Sequence, residues 1–106
     1  MNKISDSIKE VFFNIPLKKS YNYYLIKLNL EWKNIVKLDY YLFSYPIKII
    51  NILNTDKCLI EIAVKSNIIG MQLYFNELEI LNQINLILGF NNFINKIKIS
   101  NRPDLW

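Results

Sequence analysis

The sequence predicts an α+β fold, a two-layer sandwich with helices packed on one face of a three-stranded sheet in the order α-α-β-β-α-β. Three observations predict it. Apolar residues recur at helical spacing in two long stretches, 17–37 and 66–88, and alternate with polar ones near 47–52, 57–65 and 96–100. Only two glycines and three prolines punctuate the 106 residues, so long linkers are not expected. With 52% hydrophobic residues, a chain of this length builds one core. Residues 1–100 are therefore expected as a single domain and 101–106 as a short tail that frays.

Taken in order, residues 4–13 fit a first short helix, capped by Ser5 or Asp6 and carrying Ile4, Ile8, Val11 and Phe12 at helical spacing. The long helix follows Pro16. Projected at about 100° per residue, Leu17, Tyr21, Tyr24, Leu25, Leu28, Trp32 and Ile35 share one stripe, which is expected to be the core face. Lys19, Lys27, Lys33 and Lys37 gather on the opposite side with Ile26 and Leu30 among them. Glu31 is the only acid in this stretch, whereas a helix face that is merely solvated usually mixes its lysines with acids at i,i+4. The face is thus a candidate contact surface, with an ordinary solvated surface as the other reading.

Pro46 lacks an N–H and suits the entry to a first strand, 47–52. Asn54, Thr55 and Asp56 supply turn chemistry, and beyond them Cys58, Ile60, Ile62 and Val64 alternate with Lys57, Glu61 and Lys65. In the next helix Met71, Tyr74, Phe75, Leu78, Leu81, Asn85 and Leu88 are expected on one face, with Gly89 as the stop, and Leu73, Ile80, Ile84 and Ile87 broaden the apolar coverage, so the helix is expected either deeply buried or against a partner. Lys96 and Lys98 alternate outward from Ile97 and Ile99 in the last strand. Lys57, Lys65, Lys96 and Lys98, with Lys48 as a further member, make the sheet's open face a second candidate basic surface. Single-strand binders add stacking aromatics to such a face, and the alternation places none there clearly.

The formal charge of +4 permits anionic partners without demanding them. A lone Cys58 and no histidine speak against disulfides, metal sites and histidine-based acid/base catalysis, and the expected home is the cytoplasm. No apolar run approaches the ~20 residues of a membrane span, and no secretory signal is visible. Neither a G-x-x-x-x-G-K-[ST] nor a G-x-G-x-x-G loop occurs, so nucleotide cofactors are not expected. Glu77 and Glu79 diverge on a helix, and no other carboxylates pair at a catalytic spacing, so no catalytic residues and no small-molecule substrate are expected.

The helix-strand-strand-helix-strand order resembles nucleic-acid-binding KH domains, although their GXXG backbone clamp is missing here. More specifically, Trp32-Lys33-Asn34-Ile35-Val36, Ser44-Tyr45-Pro46 and Leu59-Ile60-Glu61-Ile62-Ala63-Val64 resemble the DciA family of bacterial replicative-helicase loaders. The run from Glu79 through Gly89 to Phe90, followed by Lys96-Ile97-Lys98-Ile99, is similar to the family's second helix and last strand. The likeness spans residues 8–100. It departs at Lys37 and at Lys19-Ser20-Tyr21, where the family favours glycine. The resemblance implies a short member without the family's C-terminal extension: a KH-like, non-enzymatic module that binds the DnaB-type replicative helicase and DNA, without sequence preference, to promote helicase loading. A KH-like RNA-binding or ribosome-associated protein is the other function carried forward.

Overall fold

The computed structural model describes residues 17–106, with side chains from position 21 onward. The expected first helix, 4–13, and the side chain of Lys19 lie outside the described residues. Helix α1 (Leu17–Ile35) is followed by the four-residue turn α2 (Leu38–Tyr41), the hairpin β1 (Ser44–Asn51) and β2 (Cys58–Val64), helices α3 (Asn67–Phe75) and α4 (Glu77–Leu88), and β3 (Ile94–Asn101). The fold is α+β, with a three-stranded mixed sheet in the order β1-β2-β3. β1 runs antiparallel to β2, and β3 parallel to it. A parallel pair needs a long crossover, which α3 and α4 supply.

The core lies between the helices and the inward sheet face. Leu28, Trp32 and Ile35 of α1 meet Cys58, Ile60, Ile62 and Val64 of β2 and Ile80, Leu81 and Ile84 of α4. Trp32, only 1% exposed, donates its indole N–H to Ser44 Oγ at 3.0 Å, and Ser44 donates onward to the Tyr40 carbonyl. The buried indole N–H is thereby satisfied, as a buried tryptophan requires. The inward alternation of Cys58, Ile60, Ile62 and Val64, and of Ile97 in β3, is as the sequence predicts.

Asn85 joins helix to sheet. Its side-chain N–H groups reach the Leu81 carbonyl at 2.9 Å and the Ile94 carbonyl at 2.8 Å, while Oδ1 accepts from the Phe93 and Ile94 amides at 3.0 and 2.9 Å. One buried amide thus sets the start of β3 against the last turn of α4. Gly89 ends that helix with φ 79°, in the left-handed region a C′ glycine adopts at least cost.

Two boundaries differ from the sequence reading. β1 begins at Ser44, so Pro46 lies inside the strand, and the register shifts between Pro46 and Lys48. An edge-strand bulge is where a residue without an N–H is tolerated. The single helix expected over 66–88 is broken at Asn76 (φ −108°, ψ 21°), whose side chain bonds back to the Gln72 carbonyl at 3.0 Å while Glu77 Oε2 accepts from Ile97 N at 3.0 Å. The break shifts the helical phase. Met71, Tyr74, Phe75 and Leu78, expected to share one face with Leu81 and Asn85, are therefore exposed, whereas Leu81 and Asn85 are buried.

The C-terminal segment, expected to fray, packs against the sheet. Its backbone crosses the sheet end through Arg102 N to Val64 O at 2.8 Å, forms a short 3₁₀ turn (Pro103–Leu105), and lays Trp106 against Tyr45.

Candidate nucleic-acid interface

The helices occupy one side of the sheet, and alternation along the strands fixes what the other side presents. Three cross-strand rows follow from the register. Tyr45 lies opposite Ala63, and Ala63 opposite Ser100; Lys48 opposite Glu61, and Glu61 opposite Lys98; Ile50 opposite Leu59, and Leu59 opposite Lys96. Lys48, Lys96 and Lys98 are exposed, and the one carboxylate in these rows, Glu61, is half-buried. Among the described residues the single ion pair is Arg102–Asp104, so none of these lysines is neutralised by a direct partner. The middle of this face is therefore net positive.

The other lysines predicted for this face lie apart from it. Lys57 belongs to the hairpin loop, where Thr55 Oγ1 accepts from its amide at 3.1 Å, and Lys65 follows the end of β2 with its ammonium 5.1 Å from the centre of the Phe43 ring. They are eight positions apart, about 26 Å along an extended chain. Lys96 and Lys98 share a face, Lys48 joins them, and Lys57 and Lys65 mark opposite ends of the central strand.

On α1 the outward stripe is present. Ile26 is 62% exposed and Leu30 73%; Lys33 is exposed and Lys27 half-buried. Glu31 accepts from Asn34 Nδ2 at 3.0 Å and pairs with neither lysine. Lys37 is exposed but lies beyond the helix, in extended backbone (φ −66°, ψ 157°) before α2, so it does not continue the α1 face.

Sequence reasoning missed the aromatic end of the open face. Tyr45 and Trp106 sit with ring centroids 5.4 Å apart, 61 positions distant in sequence, and Trp106 Nε1 donates to the Leu42 carbonyl at 3.1 Å. Nothing in the local pattern marks a residue in a tail as part of a sheet surface. Arg102, beside them, donates twice to Asp104, at 3.1 and 2.9 Å. That pair holds the guanidinium pKa above its usual range and the Asp104 carboxyl below its own, with Tyr45 and Glu61 lending Arg102 further, smaller support.

A second surface is the exposed apolar ridge at the α3–α4 break, where Ile68, Met71, Phe75 and Leu78 all face solvent. Its signal was the polar Asn76-Glu77 pair within an otherwise apolar run, which breaks the helix. Among the described residues no helix is long and apolar enough to cross a membrane. No protein-family model matches the chain, and no curated protein matches it. The geometry offers two kinds of contact: a cationic sheet face suited to phosphates, and exposed aliphatic side chains suited to a protein.

Proposed function

We propose that the protein is a non-enzymatic, KH-like interaction module of the DciA kind, which binds a DnaB-type replicative helicase and DNA and promotes loading of the helicase. The observation that carries this reading is the outward stripe of α1. Ile26 and Leu30 stand in solvent beside Lys27 and Lys33, and no carboxylate among the described residues neutralises either lysine. Apolar side chains flanked by unpaired cations suit an acidic protein surface better than water. The sequence likeness supports it further, because its runs coincide with the end of α1, both strands of the hairpin, α4 with Gly89, and β3.

DNA contact through lysine ammonium groups addresses phosphates and carries no base readout, so it is sequence-independent and weakens with salt. No step of bond chemistry is assigned to any residue.

The test is capture of a DnaB-type hexameric helicase by the full chain at low salt. Binding that is lost in the Ile26→Asp, Leu30→Asp double variant, with unchanged thermal unfolding, is expected. A parent chain that fails to capture the helicase overturns the proposal. Comparing single-stranded RNA, single-stranded DNA and duplex at one salt concentration separates it from an RNA-binding role, which requires RNA to bind tightest.

A further inference from the structure

We infer that Trp106 and Tyr45 form a base-stacking site at one end of the open sheet face, where a single-stranded nucleic acid lies with its phosphates along Lys48, Lys98 and Lys96. The inference rests on the proposed DNA-binding role and assigns it to a face and to residues.

Stacking needs an exposed π-surface that is already held in place. Trp106 is 40% exposed, yet its indole N–H is fixed on the Leu42 carbonyl and its ring rests against Tyr45. A ring ordered before binding loses little freedom when a base arrives. Tyr45 anchors the site to the sheet through its place opposite Ala63. From that row to the Leu59 row is four residues, about 13 Å along β2, with Lys48 and Lys98 between and Lys96 at the far end. Among the described residues none of the three ammonium groups has a carboxylate partner, and the face carries one half-buried acid.

An aromatic platform at the end of a cationic track is how single strands are held without regard to sequence, since every base has a π-face. A duplex keeps its bases stacked inside and cannot use the platform. An acidic protein would use the lysines and leave the indole unengaged. Arg102 is held by Asp104 and is not needed for the site.

The experiment uses tryptophan emission of the full chain during titration with oligothymidylate and, separately, oligouridylate. Of the two tryptophans, Trp32 is sealed in the core, so a stacked base quenches Trp106. Quenching is expected with the DNA oligomer, and Trp106→Phe, which keeps a ring against Tyr45, should abolish the signal while preserving most of the affinity. Trp106→Ala should weaken binding about 5- to 150-fold. Replacing Lys48, Lys96 and Lys98 with alanine should flatten the slope of log K against log salt by about 2, from about 0.7 per phosphate.

Binding without quenching, or an unchanged affinity in Trp106→Ala, overturns the stacking site. Tighter and equally quenching RNA keeps the site and overturns DNA as its occupant. Helicase capture is scored on the same variants. Capture that persists where oligomer binding is absent overturns this inference alone, whereas failure of the parent to capture the helicase overturns the function it rests on.

Discussion

Replacing Asn85 with leucine removes the side-chain amide that hydrogen-bonds α4 to the beginning of β3. The shape is nearly conserved, so no large cavity opens and the effect isolates the hydrogen bonds. Four bonds are lost, but they are unequal. Leu81 O keeps its helical partner, and half-buried Phe93 leaves its amide within reach of water. Ile94 is fully buried, so its N–H and C=O both lose a partner where water does not replace it. At about 1–3 kcal/mol for each orphaned group, the expected loss is about 2–6 kcal/mol. That is a large part of the 5–15 kcal/mol typical of a small domain. Urea unfolding followed by circular dichroism measures it as a fall in midpoint at unchanged m. Asn85→Leu within about 0.5 kcal/mol of the parent would refute the reasoning, because two buried groups would then have lost their partners at no cost.

Gly89→Ala forces a Cβ into the left-handed region at φ 79° and should destabilise by about 1 kcal/mol, with Gly89→Asn closer to the parent; an alanine variant as stable as the parent would exclude that strain. Burial, followed by the hydrogen bond to Cys58 Sγ at 3.2 Å, pushes the Tyr21 phenol from 10.0 up to about 12. The unfolded chain therefore releases this proton first. The stability Tyr21 contributes is complete below pH 10 and is lost as pH rises toward 12. Ultraviolet titration should show a late phenolate step that Tyr21→Phe removes, and stability above pH 10 should fall less steeply in that variant; superimposable curves would contradict the assignment.

Much of the fold is legible in the sequence because burial is written in periodicity. Leu28, Trp32 and Ile35 recur at helical spacing, Cys58 to Val64 alternate, and Gly89 marks a helix end, and each does in the fold what its spacing implies. The failures are local and share a cause. Pro46 suggested a strand entry because its missing N–H was weighed without the bulge that accommodates it. The apolar run from Met71 to Leu78 suggested one continuous face because a helix was projected through Asn76, where side-chain bonding breaks the phase. For the candidate site, Lys96, Lys98, Ile26 and Leu30 were readable because each lies within one regular element. Trp106 was not, since its partner, Tyr45, lies 61 positions away.

The bulge in β1 has a consequence for assembly. An open three-stranded sheet can recruit further strands along its outer edges, the route by which such proteins polymerise. At β1 that route is obstructed: Pro46 offers no donor, its carbonyl is already taken by Asn29 Nδ2 at 3.1 Å, and the shifted register denies an incoming strand a continuous ladder. Higher-order complexes of this chain are thereby directed away from edge-to-edge growth at β1 and toward side-chain surfaces.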